Sequence, residues 1–179
     1  VEARRLGDCA ISETYALLFE RLLCSRIFLR KVLRLSPNDT EKVARTSGAL
    51  GLLSLRREAV LLVAEADAPA SSKNGAKHYQ GLWSSELRAD TAAVLYGTER
   101  TLLDRSCVRL RAALAESRLR NTLRDRFDED WFHNPRAGAF LRQLFSEGQS
   151  TTVEAMTREV TGAAAAAGDL TRWLGEALG

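Results

Sequence analysis

An all-α fold follows from three features of this 179-residue sequence. Apolar residues recur at three- and four-residue spacing in every long segment, no stretch alternates with period two, and cap and stop signals bracket the segments. The expected architecture is one domain over residues 1–179, an irregular bundle of about six or seven helices. A hydrophobic content of 45% and a charged content of 27% suit a globular chain of that kind.

The first element is Asp8 to Leu23, DCAISETYALLFERLL. Ile11, Tyr15, Leu18 and Leu22 form its stripe. Ala10, Ala16, Leu17, Phe19 and Leu23 leave almost no polar face, the pattern of a buried helix. Asp8 or Ser12 caps it, and it runs to about Arg30. Ser36-Pro37-Asn38-Asp39 is a turn and cap signal, so a second helix covers about Thr40 to Glu65. Gly48 and Gly51 inside it each weaken it by ~1 kcal/mol relative to alanine, and allow a neighbouring helix to come close. Asp67 to Gly75 is the one clear loop. A third helix follows from about Leu82 to Leu95, broken by Gly97-Thr98. A fourth spans about Thr101 to Arg126, with Val108, Ala112, Ala115, Leu119 and Leu123 as its stripe. Asn134-Pro135 opens a fifth that ends at Gly148. Thr151 or Thr152 opens a sixth that stops at Gly162, and Asp169 caps a last one carrying Trp173 and Leu174.

The net charge is +3, and lysine supplies only positions 31, 42, 73 and 77 of the 26 basic residues. Arginines crowd residues 109 to 126. Glu116 and Asp125 lie among them, Glu116 stands one turn before Arg120, and no aromatic residue interleaves to stack on bases. The run therefore reads as a solvated helix face, with no nucleic-acid partner. Cys9, Cys24 and Cys107 are odd in number and lack metal-ligand spacing, which suits small core residues in a reducing, cytoplasmic setting. No apolar run approaches the ~20 residues of a membrane span, so no membrane partner is expected. The chain opens on Val1, and the expectation is a piece of a longer product.

Glycine-rich phosphate loops, Gly-x-Ser-x-Gly and Cys-x-x-Cys do not occur in the sequence, nor does the two-histidine clamp His-Glu-x-x-His. The two histidines, His78 and His133, read as surface residues. Glu13 and Glu20 remain. Seven apart, they project from one line of the first helix with Leu17 between them. Acids on an apolar helix either mark a wet edge paired with arginines or face a cation, and spacing does not choose between the two.

Leu6-Gly7-Asp8 through Ser12-Glu13-Thr14-Tyr15-Ala16-Leu17-Leu18-Phe19-Glu20 resembles the third-ligand helix of zinc metallopeptidases. The family is that of thimet oligopeptidase and oligoendopeptidase F, in its divergent bacterial branch. Glu116 with Arg118-Leu119-Arg120, Leu123-Arg124-Asp125-Arg126-Phe127 and Asp130-Trp131-Phe132 resembles the same branch's C-terminal region. So does Asn134-Pro135-Arg136-Ala137-Gly138 followed by Phe140-Leu141-Arg142 and Glu147-Gly148. The likeness is weak from 40 to 100.

This resemblance implies Glu13 as a metal ligand, Glu20 and Asp8 as groups supporting it (Asp8 also as the helix cap), zinc as the cofactor and peptides as substrates. The sequence departs from the family in lacking the clamp and the tyrosine-rich segment before Glu116. Tyrosines stand only at 15, 79 and 96. A zinc site takes at least three protein ligands, so this chain alone is not expected to hold zinc tightly or to hydrolyse peptides. Its partner would be an N-terminal segment carrying the clamp, and the first helix would expose much of the apolar surface awaiting it. Full burial of both Leu17 and Phe19 would count against that arrangement. The alternative is a non-catalytic α-helical protein-interaction module on the same scaffold.

Overall fold

A computed structural model describes residues 7–67 and 74–178. Helix is the only regular structure among them, in the order α1 Cys9–Glu20, α2 Arg26–Lys31, α3 Pro37–Asp67, α4 Gly75–Leu87, α5 Leu95–Glu99, α6 Leu103–Phe127, α7 Pro135–Glu147, α8 Val153–Thr161 and α9 Ala167–Leu178. The all-α expectation holds. Leu6 and residues 68–73, which make up most of the expected loop, lie outside the described residues. The chain forms two units. One holds the chain up to Ala49 and from Arg111 onward, the other Leu50–Leu110, so the boundary falls inside α3 and inside α6.

In the first unit the caps stand where local chemistry puts them. Asp8 accepts from the Ala10 N–H at 3.0 Å, Asn134 from Arg136 at 3.0 Å and Thr152 from Ala155 at 3.2 Å. Gly148 (φ 64°) and Gly162 (φ 75°) stop α7 and α8 in the left-handed region that glycine tolerates. Asp169 lies in the first turn of α9, not before it, and accepts from the Ala166 N–H at 3.2 Å. The core joins Leu18 of α1, Leu119 and Leu123 of α6, Trp131, and Ala137, Leu141 and Leu144 of α7. Gly48 of α3 lies so close to α9 that a Cβ there would meet the Ala177 Cβ at 2.9 Å, the close approach its sequence context suggested.

The first helix departs from expectation twice. It ends at Glu20, a 3-10 turn covers Arg21–Cys24, and Ser25 restarts the helix by accepting from the Phe28 N–H at 3.3 Å. It is also not buried all round. Ala10, Ile11, Thr14, Leu17 and Leu18 are covered, whereas Ser12, Ala16, Phe19 and Glu20 are exposed. Hydrophobicity on every side did not mean burial on every side. The helix buried through most of its circumference is α6, where Ala112, Ala113, Ala115, Glu116, Ser117, Leu119, Thr122 and Leu123 are all covered. Its small residues let neighbours close in on several sides.

The second unit has its own core: Val60, Leu61 and Ala64 of α3 with Tyr79 of α4 and Tyr96 of α5. The rings of Tyr79 and Tyr96 stack at 5.1 Å, and burial pushes both phenols up to about 12. Tyr96 donates to Glu65 at 2.7 Å. α4 begins at Gly75, earlier than the sequence reading placed it, and its helical spacing brings Tyr79, Leu82 and Trp83 to one face. It stops at Arg88, whose φ is 55°, and Gly97-Thr98 lies inside α5 instead of breaking a helix.

Candidate functional site

Each residue singled out on α1 has a definite place. Asp8 is a clasp. Besides capping α1 it accepts from the Val153 N–H at 2.9 Å and pairs with Arg111 at 2.5 Å, and Arg111 also holds Glu154 at 2.7 Å. Burial works to raise the Asp8 pKa, but the Val153 N–H, the Arg111 guanidinium and the Ala10 N–H outweigh it and hold it below the usual carboxylate range. Glu13 is half-buried at the edge of the open face of α1, and Glu20 is exposed. That face carries Phe19, 47% exposed, whose ring lies 6.4 Å from that of Phe145, itself 40% exposed. Tyr15 meets Phe145 edge-on at 4.5 Å. Leu17 is covered and Phe19 is not, so the arrangement that would have counted against an open docking face does not occur. The second unit, taken by itself, also has exposed apolar residues, among them Leu50, Leu53, Val94 and Leu95.

The histidines stand apart from these acids in kind. His78 faces Asp67 at 3.4 Å, and His133 is exposed with its ring 5.1 Å from that of Phe132. Among the described residues no three of His, Cys, Asp and Glu converge as metal ligands.

The strongest polar feature lies inside the first unit, and α6 builds it. Glu116 is completely buried and pairs with two guanidiniums, Arg21 from the 3-10 turn and Arg120 at 2.9 Å one helical turn on. Arg21 also donates to the Ser117 hydroxyl at 3.2 Å, and its guanidinium lies 3.9 Å over the ring of Trp173 of α9. Burial, and then the charge of Arg120, press the Arg21 pKa down, with Glu116 opposing them. Burial likewise raises the Cys24 thiol, against the pull of Arg21 and Arg120.

A cavity of about 420 Å³ opens beside this centre, lined by Arg21, Leu22, Cys24, Ile27, Arg120, Trp131, Trp173 and residues of its rim. Two rim arginines are matched by acids: Arg26 by Glu41 at 2.7 Å, and Arg124 by Glu176 at 2.7 Å and by Glu129.

The arginine run is thus corrected from a plain solvated face to a set of partly covered side chains, most of them paired with acids or carbonyls, several from distant segments. Beyond Arg120 and Arg124, Arg111 is held by Asp8 and Glu154, Arg118 lies 3.6 Å from Asp169, and Arg126 donates to the Val160 carbonyl at 3.1 Å. The sequence signal for Glu116 was the four-residue step to Arg120, but nothing local pointed to Arg21, which is 95 positions away. The cysteines are corrected too. Cys9 and Cys107 are exposed and Cys24 is half-buried, so none is a core residue, and all three are free thiols. No family model matches the chain, and neither a curated protein nor a solved structure matches it.

Proposed function

We propose that this chain is the C-terminal helical portion of a zinc-dependent oligopeptidase-like protein, without hydrolytic activity of its own. In this reading Glu13 is one ligand for a zinc ion whose histidine clamp is carried by a segment outside this sequence. The supporting observation is the uncovered side of α1. Glu13 sits at its edge, and the exposed rings of Phe19 and Phe145 form an apolar surface of the kind a partner covers. The free thiols suit the cytoplasm, and peptides are the substrate class of the assembled protein.

The test is zinc retention by the protein extended upstream of Val1. The expected result is one zinc per chain, held at least ~10-fold more weakly after Glu13→Gln, since loss of a ligand costs no less than loss of a group supporting one, and none held by this chain alone. Chelator-sensitive cleavage of quenched fluorescent peptides by this chain alone would overturn the proposal. So would an upstream sequence without His-Glu-x-x-His, or zinc affinity indifferent to Glu13→Gln.

A second reading, a non-catalytic α-helical interaction module, draws support from the region ahead of Glu116. Where the family resemblance calls for oxyanion-stabilising tyrosines, Arg111 clasps Asp8 and Glu154 and Cys107 lies at the surface. A clamp-free upstream sequence would favour this reading.

A further inference from the structure

We propose that the open side of α1 is an interface with a second copy of this chain, packed about a two-fold axis that runs along the seam between α1 and α7. The two helices run in opposite directions. Gln149, just past the end of α7, donates to the Ser12 hydroxyl near the start of α1 at 2.7 Å, whereas Phe145 lies against Tyr15 and Phe19 further along. Steps of four and three residues then put Ser12, Ala16 and Phe19 on one bank of the seam, and Gly138, Arg142 and Phe145 on the other.

The first argument is the aromatic surface. Among the described residues, which include every Phe, Trp and Tyr of the chain, only Phe19 and Phe145 are exposed. They stand side by side across the seam with ring centroids 6.4 Å apart. Exposed apolar patches mark interaction sites, and aromatic side chains are enriched at the centres of interfaces.

The second argument is charge, and it chooses the occupant. The α1 bank is flanked by the exposed Glu20, and α1 contains no basic residue. The α7 bank carries the exposed Arg142, whose guanidinium leans back over Gly138. Neither Glu20 nor Arg142 has an ion-pair partner among the described residues. The remaining acid of α7, Glu147, stands at the far end of the helix beside Tyr15. A two-fold axis along the seam exchanges the banks. It sets Phe19 on Phe145 of the second copy and Glu20 against its Arg142, each contact occurring twice. The face is its own complement in both shape and sign.

Its size sets the strength. Two helices of this length, side by side, present roughly 400 Å², about half of what each partner buries in a standard interface, so the dimer is a weak one. The proposal shares the open side of α1 with the reading above and needs no metal.

Sedimentation equilibrium of the whole chain tests it. The expected result is mostly monomer at about 5 µM and mostly dimer at about 500 µM. Glu20→Arg and Arg142→Glu each place like charges together twice, and each is expected to weaken the dimer about tenfold. An equal mixture of the two variants is expected to restore it, because each chain then supplies the charge the other lacks. Phe19→Ser is expected to abolish it, with folding checked by circular dichroism; should that variant fail to fold, the charge variants carry the test.

A chain still monomeric at about 500 µM overturns the proposal and leaves the face to a segment upstream of Val1. A dimer indifferent to both charge variants, or a mixture that fails to restore it, also overturns it, as does a dimer that survives Phe19→Ser. The zinc test reads metal held by the extended protein and this one reads the mass of the chain alone, so failure of either is distinguishable from failure of the other.

Discussion

Glu116→Gln is the substitution that tests the buried centre most directly. It preserves side-chain volume, so no cavity confounds the result, and it removes the one negative charge facing Arg21 and Arg120. Glu116 is fully buried and the Arg21 side chain is 6% exposed, so water cannot replace the lost partner. Removing one member of a buried pair costs about 3–5 kcal/mol, most of it from the uncompensated charge left behind. For a chain of this length that is a fall in Tm of roughly 6–20 °C.

Lys31→Ala supplies the contrast. Its partner Asp130 is 2.6 Å away, but the two side chains are 56% and 36% exposed, and solvent screening leaves such a pair little effect on stability. The assay is urea unfolding followed by far-UV circular dichroism and by tryptophan emission. A Trp83→Phe background limits the emission to Trp131 and Trp173 of the first unit. The triple variant Arg21→Met, Glu116→Leu, Arg120→Met is expected to recover most of the loss, because apolar groups of similar volume carry no desolvation penalty. A loss below about 1 kcal/mol for Glu116→Gln would refute the reasoning, as would a triple variant no more stable than the single one.

Three further outcomes are expected. The Asp8 pKa is depressed in the folded chain, so its contribution to stability is complete above the unfolded carboxylate range near pH 4 and is lost as pH falls through the lower folded value. Asp8→Asn therefore flattens the acid limb of stability against pH, and an unchanged acid limb would show that the clasp is not formed. Gly48→Ala gains helix propensity but drives a methyl to 2.9 Å from the Ala177 Cβ, with a net destabilisation of about 1 kcal/mol; a rise in Tm would contradict the close contact of α3 and α9. Asn134→Ala removes the acceptor for the Arg136 N–H and is expected to cost ~1 kcal/mol in urea unfolding, whereas Asn134→Asp retains most of the stability.

Legibility in the sequence followed the range of the interactions. Asn134-Pro135, Gly148 and Gly162 were read correctly, and the cap of α8 was narrowed to Thr151 or Thr152, because each acts on backbone groups within a few residues of itself. Ser25 was missed as a helix start because the apolar pattern continues straight across it, although its hydroxyl was the available signal. The arginines misled for the opposite reason. Glu116 and Arg120 are partners one turn apart, but Glu154 reaches Arg111 across 43 positions and Glu176 reaches Arg124 across 52, and composition cannot distinguish an arginine in solvent from one facing a distant acid.

Period, caps and stops determined on their own that this chain is helical and where most helices begin and end, since those choices are settled by side chains acting on their own backbone. Only the tertiary structure decided which helix lies deepest. Burial depends on how closely neighbours can approach, and the small residues of α6 admitted them where the larger side chains of α1 left one side open. It also brought Arg21 to Glu116 and left a cavity beside them, because a charge enters a core only where folding supplies its counter-charge from elsewhere in the chain.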